Sequence, residues 1–296
     1  MRRKNPDEEK IWTILEVVQW TTKFFQDHDV DSPRLTIELL LCHVLGVSRI
    51  YLYTDHDRPL TTEERSRLRE YVRRRAEHEP LQYILGKANF YGLDVAVDPH
   101  VLIPRPETEL LAERAIRWLK DHPNALCLDI GTGSGCIPIA ACLHERTSRW
   151  LGIDMSHEAL DVAHRNAVAH SVQDRFEMQV LDILDTMPMG RFQLITMNPP
   201  YIPPDEIETL QPEVRLHEPH TALTDNADGL RFYRRFAEIA PDIMAPGGVA
   251  LLEIGHGQKD DVGQILRDRG LSCSIVDDMA GIPRLAIVEN LGVTNS

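Results

Sequence analysis

A short motif, Asn198-Pro199-Pro200-Tyr201, combines residue types suited to holding an amine or amide group. Two successive prolines fix φ and remove two backbone N–H donors, so the backbone offers a ligand mainly carbonyl oxygen. Asn198 adds a side-chain carbonyl and an NH2 donor, and Tyr201 adds a flat ring. One hydrogen of an –NH2 group could bind Asn198 Oδ1 and the other a proline carbonyl, which would orient the nitrogen for alkylation. An ordinary Pro-rich turn is the alternative interpretation.

The residues before this motif indicate where it lies in the fold. Phe192–Met197 is apolar and rich in β-forming residues, which predicts a buried strand. The motif therefore follows the carboxyl end of a strand, where open α/β sheets bind their ligands.

A glycine-rich turn, Gly131-Thr132-Gly133-Ser134-Gly135, follows an earlier strand candidate and opens a helix. Glycine allows a tight turn and close approach of a ligand, but nucleotide-binding folds of many kinds share such turns. The spacing departs from the G-x-G-x-x-G form of dinucleotide sites. Asp129 stands just before the turn, where it could accept hydrogen bonds or place an anion beside a cationic ligand.

Acidic residues follow the next two strand candidates. Asp154 lies about twenty residues after the turn, where an acidic side chain can bind both ribose hydroxyls. Asp182 follows the third strand candidate, and Ile183 could pack on an adenine ring. S-adenosylmethionine fits this arrangement better than NAD because it carries ribose and adenine but no phosphate. Taken singly, each acid is better explained as a helix cap or a solvated loop residue; their joint placement at successive strand ends is what favours the cofactor site.

The elements that must position these residues alternate between strand and helix. Apolar strand candidates occupy 125–130, 150–153, 176–181, 192–197 and 248–254, with helical patterns at 156–170 and 229–240. This alternation predicts an α/β fold with a mostly parallel sheet and helices on both faces. The segments 274–276 and 284–289 are expected to close the sheet edge as an antiparallel pair.

Residues from about 10 to 85 instead predict a small helical bundle. Ser32-Pro33 and Gly46 mark the ends of one helix, and Thr61-x-x-Glu64 has the spacing of a capping box. The Arg73-Arg74-Arg75 run is interpreted as a solvated face. An apolar helical face is expected from Ile11, Ile14, Leu15, Val18 and Phe25.

A strand or hairpin at 90–97 links the bundle to the sheet. The Pro104-Arg105-Pro106-Glu107-Thr108 stretch that follows is either a rigid helix start or a pocket wall carrying Arg105, Glu107 and Thr108. We therefore expect a helical domain at 1–86, a hairpin linker at 87–104 and a catalytic domain at 105–296.

Composition narrows the class of protein. The net charge of −14 disfavours sequence-independent DNA binding and is compatible with a basic protein partner. No apolar run is long enough to span a bilayer, and the first nine residues predict neither a signal nor a transit peptide.

The five cysteines lack C-x-x-C spacing and are expected to be free thiols in a reducing cytoplasm. His217, His220 and His256 lack firm metal-ligand spacing, so surface loops and no metal are expected.

Over nearly its full length the chain resembles the release-factor glutamine methyltransferases, the PrmC/HemK family. The Asn198 to Tyr201 motif by itself does not identify the family, because adenine and cytosine amino-methyltransferases share it. The Pro-Arg-Pro-Glu-Thr-Glu stretch and the helical amino-terminal domain are more specific for the family. The matching stretches are Glu79-Pro80-Leu81-Gln82-Tyr83-Ile84-Leu85-Gly86, Leu102-Ile103-Pro104-Arg105-Pro106-Glu107-Thr108-Glu109, Gly131 to Gly135, Asp154, Asn198 to Tyr201, and Glu218-Pro219 through Asp228-Gly229-Leu230.

The resemblance implies a class I, Rossmann-like methyltransferase domain with a seven-stranded sheet. It also implies N5-methylation of the glutamine in the Gly-Gly-Gln tripeptide of class-1 peptide-chain release factors, with S-adenosylmethionine converted to S-adenosylhomocysteine. The helical domain would dock the release factor, with no nucleic acid or membrane involved. The cofactor site would comprise Gly131, Thr132, Gly133, Ser134, Gly135, Asp154, Asp182, Ile183 and Asn198, and the glutamine would meet Asn198, Pro199, Pro200 and Tyr201. The position of Ile183 is often aromatic in the family.

The sequence is also compatible with two other functions. A nucleic-acid adenine-N6 methyltransferase needs the same amino-group clamp, although the acidic composition and the lack of an obvious basic recognition domain disfavour it. A non-catalytic, translation-associated cofactor-binding protein is the second, disfavoured by the intact clamp and glycine turn.

Overall fold

In the computed structural model, which describes residues 11–290, the chain divides into two units between Leu85 and Gly86. The first nine residues, for which the sequence predicts no targeting signal, lie outside the described range. Within residues 11–290, no helix is both long enough and apolar enough to cross a membrane.

The first unit is helical. Its buried face on α1 includes Ile14, Val18 and Phe25 as predicted. The expectation was wrong for Ile11, which precedes the helix and is 73% exposed, and for Leu15, which points outward. The helices are α1 Ile14–Gln26, α2 Pro33–Leu45, α3 Arg49–Thr54, α4 Thr62–Ala76 and α5 Leu81–Leu85.

The predicted helix ends are confirmed with one difference in detail. Thr61 and Glu64 form a reciprocal capping box on α4, and Gly46 ends α2 in the left-handed region at φ +68°. Ser32 precedes Pro33 at the start of α2, but its side chain makes no capping hydrogen bond because its own backbone is left-handed, at φ +46°.

The arginine run of α4 is only partly a solvated face. Arg73 is exposed and bonds Glu70 and Glu77 on its own helix end. Arg75 is only 2% exposed, and its Nη1 donates to the carbonyl of Glu79 at 3.0 Å. The prediction was therefore wrong for Arg75, whose guanidinium supports the chain after α4.

The second unit begins with a hairpin of β1 Lys87–Phe90 and β2 Leu93–Ala96, followed by α6 Thr108–Leu119. Asn166 ties this hairpin to the glycine turn: its Oδ1 accepts from Ala96 N–H at 2.7 Å, and its Nδ2 donates to the carbonyls of Ala96 and Ser134.

A seven-stranded sheet organises the rest of the described chain, in the order β5-β4-β3-β6-β7-β9-β8. The first five strands in that order are parallel, and β9 is antiparallel to both β7 and β8, as predicted for the closing pair. The strands are β3 Leu126–Ile130, β4 Arg149–Asp154, β5 Phe176–Val180, β6 Phe192–Met197, β7 Met244–Glu253, β8 Ser272–Asp277 and β9 Pro283–Glu289.

Helices cover both faces of this sheet, as expected for a mostly parallel arrangement. In β6, Leu194 packs into one apolar core and Ile195 into the other, so both faces of the strand are buried. The helices that follow α6 in the chain are α7 Cys136–His144, α8 His157–Ala169, α9 Pro212–His217, α10 Arg231–Ile243 and α11 Lys259–Asp268.

The strand order reverses at β3. The chain runs outward from β3 to β4 and β5 and then returns to β6 on the other side of β3. Such a reversal opens a crevice at the carboxyl ends of the two strands. The glycine turn after β3 and the Asn198 loop after β6 both lie there.

Candidate active site

A cavity at the carboxyl edge of the sheet brings most of the predicted site residues together. The wall that precedes α6, the turn after β3 and the ends of β4, β5 and β6 each contribute lining residues. Gly135, Tyr201 and Glu107 lie outside this lining. The predicted residues that do line it are Arg105, Thr108, Gly131, Thr132, Gly133, Ser134, Asp154, Asp182, Ile183, Asn198, Pro199 and Pro200.

The glycines of the turn do two different things. Gly131 has φ +70°, and a Cβ built there would meet no protein atom nearer than 4.0 Å. A Cβ on Gly135, at φ +76°, would lie 2.9 Å from Phe176 Cε1. Gly131 therefore leaves open space for a ligand to approach the backbone, while Gly135 allows α7 to pack against the sheet.

Asp154 fixes the cavity side of the glycine turn. Its Oδ2 accepts from Gly133 N–H and its Oδ1 from Ser156 N–H, each at 3.0 Å. Burial raises the pKa of this carboxyl, while the two backbone donors act in the opposite direction. The side chain is thus held in place at the cavity edge before any ligand binds.

Asp182 and Ile183 form the next section of the wall. Asp182 Oδ1 accepts from Leu184 N–H at 2.9 Å, which fixes the turn after β5. Ile183 is buried against the core beneath the cavity, and its carbonyl accepts from Arg235 Nε at 2.8 Å. The wall at Ile183 is therefore apolar, and its backbone is held by the Arg235 side chain.

Asp129 lies beneath the turn rather than in the cavity. It accepts a hydrogen bond, as predicted, from Thr196 Oγ1 at 2.6 Å, and only 1% of the residue is exposed. Burial raises the pKa of this carboxyl to about 7. Asp129 therefore does not line the cavity, contrary to the expectation that it places an anion beside the ligand.

The Asn198 amide is held from one side only. Its Nδ2 donates to Thr108 Oγ1 at 3.1 Å, and no group within residues 11–290 donates to its Oδ1. The Asn198–Pro199 and Pro199–Pro200 peptide bonds are both trans. A side-chain carbonyl with this fixed orientation can accept a hydrogen bond from a substrate NH2 group in the cavity.

The Tyr201 ring lies behind the loop. Its hydroxyl donates to Glu253 Oε1 at 3.3 Å, and its carbonyl accepts from Gln258 Nε2 at 3.0 Å. Glu253 is 1% exposed, and burial raises its pKa to about 7. Sequence reasoning missed Glu253, although an acidic residue inside the apolar run 249–254 was a usable signal.

Glu218 is a further correction. The segment from His217 to His220 is expected from the sequence to be a surface loop. The Glu218 side chain within it is instead buried and accepts from Ile103 N–H at 3.1 Å and Arg105 Nη2 at 2.6 Å. Arg105 lines the cavity, and its guanidinium is paired with Glu218. Within residues 11–290 no group of three His, Cys, Asp or Glu side chains is arranged to hold a metal ion.

Comparison with known proteins agrees with this architecture. Residues 16–86 match the PrmC N-terminal domain, and residues 108–224 match the methyltransferase small domain. A solved methyltransferase from Pyrococcus furiosus covers 79% of this chain and 100% of its own, with a TM-score of 0.51 and 17% identity, which supports the fold alone.

The sequence relatives are much closer. The release factor glutamine methyltransferase of Chlorobaculum tepidum is 42% identical over 292 residues, covering 90% of this chain and 98% of its own. That of Geobacter sulfurreducens is 42% identical over 283 residues, covering 94% and 97%. With identity of this order sustained along both units and a methyltransferase sheet carrying the site, the chain belongs to the release factor glutamine methyltransferase family.

Proposed function

We propose that this protein transfers a methyl group from S-adenosylmethionine to N5 of the glutamine side chain in the Gly-Gly-Gln tripeptide of class-1 release factors. The observation that carries the proposal is the Asn198 amide, which is anchored by Thr108 with its Oδ1 unoccupied, in the same cavity as the glycine turn and Asp154. The names of the relatives support the choice of substrate.

The residues at the ends of β3, β4 and β5 fit the cofactor. Gly131, with open space beside its backbone, would take the methionine part of the cofactor, Asp154 would accept the ribose hydroxyls, and Ile183 would contact the adenine. When bound, S-adenosylmethionine supplies a methyl group made electrophilic by its sulfonium.

The loop after β6 would hold the substrate amide. An amide nitrogen is a weak nucleophile because its lone pair is delocalised into the carbonyl, so alignment is what the protein must provide. Asn198 Oδ1 and the Pro199 carbonyl would accept the two N–H hydrogens and leave the nitrogen facing the methyl. Such alignment can contribute up to about 7–11 kcal/mol to lowering the barrier.

The same two acceptors would also stabilise the developing charge. As the C–N bond forms, the C–S bond to the sulfonium breaks and S-adenosylhomocysteine is the leaving group. Positive charge grows on the nitrogen, and the oxygen acceptors bind its N–H groups more strongly than in the ground state. The proton then leaves the nitrogen. The methylated amide cation is a strong acid and loses this proton to water, so no side chain has to deprotonate the amide before transfer.

The helical unit is proposed to dock the release factor, and we keep the sequence-based domain limits of 1–86 for docking, 87–104 for the hairpin linker and 105–296 for catalysis. The family match over residues 16–86 supports a distinct role for this unit. Adenine-N6 methylation of nucleic acid is the competing function, because the Asn198 clamp would suit an adenine amino group as well. The net charge of −14 opposes it.

Methyl transfer from radiolabelled S-adenosylmethionine tests the proposal. The substrates are a class-1 release factor, the same factor with the tripeptide glutamine replaced by alanine, and double-stranded DNA. Label on the intact factor alone is expected. Label on DNA, or equal label on both forms of the factor, would overturn the assignment.

A further inference from the structure

We propose that Thr108 and the buried Glu253 are positioning residues that fix the Asn198 amide with its oxygen toward the substrate. This inference rests on the proposed amide-binding role of Asn198 and explains how that role is maintained.

The Thr108 hydroxyl acts as both a donor and an acceptor of hydrogen bonds. A threonine hydroxyl has one hydrogen to donate and two lone pairs to accept with. Thr108 Oγ1 accepts from Asn198 Nδ2 at 3.1 Å, so its own hydrogen must go to another acceptor. Thr108 is 2% exposed, which leaves little access for water to accept it.

Glu253 provides that acceptor at the end of β7. One carboxylate oxygen, Oε1, accepts from the Tyr201 hydroxyl, whereas the buried Oε2 has no partner within hydrogen-bonding geometry. Of the neutral donors around this carboxyl, the Thr108 hydroxyl lowers its pKa more than the Tyr201 hydroxyl does. A small shift of the threonine hydroxyl gives Oε2 the partner that a buried oxygen requires.

This arrangement discriminates between the two orientations of the Asn198 amide. While the Thr108 hydrogen is committed to Glu253, only lone pairs face Asn198, so the NH2 end must point at Thr108 and Oδ1 at the cavity. If Glu253 is protonated, it no longer needs that hydrogen. Thr108 is then free to donate to Asn198 Oδ1, which turns the NH2 end toward the substrate and removes the acceptor.

The charge state of Glu253 therefore controls the clamp. Burial raises the pKa of this carboxyl to about 7, and Glu107, the residue before α6, acts in the same direction. Arg284 from β9 and the Tyr201 hydroxyl favour the ionised form. From α10, Tyr233 donates to the Glu253 backbone carbonyl at 2.7 Å and stays neutral because burial raises its pKa. The competent, ionised form is thus populated above about pH 7.

The test measures single-turnover methyl transfer to a Gly-Gly-Gln peptide between pH 5.5 and 9, at saturating S-adenosylmethionine. The wild-type rate is expected to rise with pH through about 7, and Glu253→Gln should lose this rise because a glutamine does not titrate. Glu113→Gln, an exposed acid on α6, is the matched control and should keep the wild-type profile.

Thr108 gives a second, independent readout. Thr108→Val removes the hydroxyl at nearly constant shape and should lower the rate about 10–100-fold, while the cofactor Kd from calorimetry stays unchanged. Thr108→Ser restores the hydroxyl and should recover most of the rate. If Glu253→Gln does not fold, Thr108→Val still tests the positioning roles, because its methyl-transfer rate should also lose the pH dependence.

The outcomes separate this inference from the proposed function. A wild-type enzyme that methylates neither the peptide nor an intact class-1 release factor contradicts the function itself. Methylation by the wild-type enzyme, combined with an unchanged pH profile in Glu253→Gln or a wild-type rate in Thr108→Val, overturns only the positioning roles.

Discussion

Arg105 Nη2 donates to Glu218 Oε1 at 2.6 Å and so joins two walls of the cavity that lie far apart in the chain. The arginine belongs to the segment before α6, and the glutamate precedes Pro219 in the loop after α9, with both Arg105 and Pro219 lining the cavity. Because Glu218 also accepts from Ile103 N–H, one buried carboxylate holds both the backbone and the side chain of the opposite wall.

Removing this carboxylate should loosen the cavity. Glu218→Ala leaves the Ile103 N–H without its acceptor and Arg105 without its partner, so the free energy of unfolding is expected to fall by about 1–3 kcal/mol. Urea unfolding measures the change. Glu208→Ala is the matched control, because Glu208 is 77% exposed in its pair with Arg215 and should change stability by less than about 1 kcal/mol. Equal stability of the two variants would contradict a structural role for the Arg105–Glu218 pair.

Asp154 is expected to act mainly on cofactor affinity. Asp154→Ala removes a charged acceptor held at the cavity edge, which corresponds to about 1.5–3 kcal/mol, or about a 10–100-fold rise in the Kd of S-adenosylmethionine. Calorimetry measures this Kd, with Asp161→Ala on the exposed side of α8 as the control. An unaltered Kd in Asp154→Ala would exclude the ribose-binding role.

The two glycines at either end of the turn should respond differently to alanine. Gly135→Ala forces a Cβ within 2.9 Å of Phe176 and 3.2 Å of Ala163, so it should lower the free energy of unfolding by about 2 kcal/mol or more. Gly131→Ala places its Cβ against no such contact, so it should lower the free energy of unfolding by only about 1 kcal/mol, through backbone strain. Its loss of cofactor-binding free energy should be larger than this loss of stability, because the Cβ would occupy the space left open for the ligand. Thermal unfolding and calorimetry on both variants check this, and the reverse pattern would contradict the assignment of open space at Gly131 to the ligand.

Asp129 should make stability depend on pH. Its pKa is raised from 3.8 to about 7 by burial, so between these values the folded state binds more protons than the unfolded state. The free energy of unfolding should therefore fall as pH rises from about 4 to about 7. Asp129→Asn should remove about 2–4 kcal/mol of this fall, measured by urea unfolding across that range. Glu253 titrates in the same range, so part of the slope should remain; an unchanged slope would contradict the buried state of Asp129.

Local sequence patterns were enough to predict the strands of the sheet and the ends of two helices. The run Phe192–Met197 is apolar along its whole length because both faces of β6 are buried, and that signal needs no knowledge of distant residues. The capping box of Thr61 and the left-handed end of α2 at Gly46 are likewise local.

Buried charges could not be predicted in the same way. Whether Glu218 is buried depends on Arg105, more than a hundred residues earlier in the chain, and whether Glu253 is buried depends on Tyr201 and Thr108 from other elements. Arg75 is a similar case, since one member of an arginine run is buried by the chain that follows α4. Sequence spacing alone does not distinguish such residues from solvated ones.

The central claim is that Asn198 presents a glutamine amide to the methyl group, and the rate of Asn198→Ala tests it most directly. With labelled S-adenosylmethionine and a Gly-Gly-Gln peptide, and with the modified atom located by fragmentation mass spectrometry, the wild-type protein should methylate the glutamine N5. Asn198→Ala should lower kcat by about 10²–10³-fold with the cofactor Kd unchanged. A wild-type kcat in Asn198→Ala, or a methyl group on any other atom of the peptide, would contradict the account.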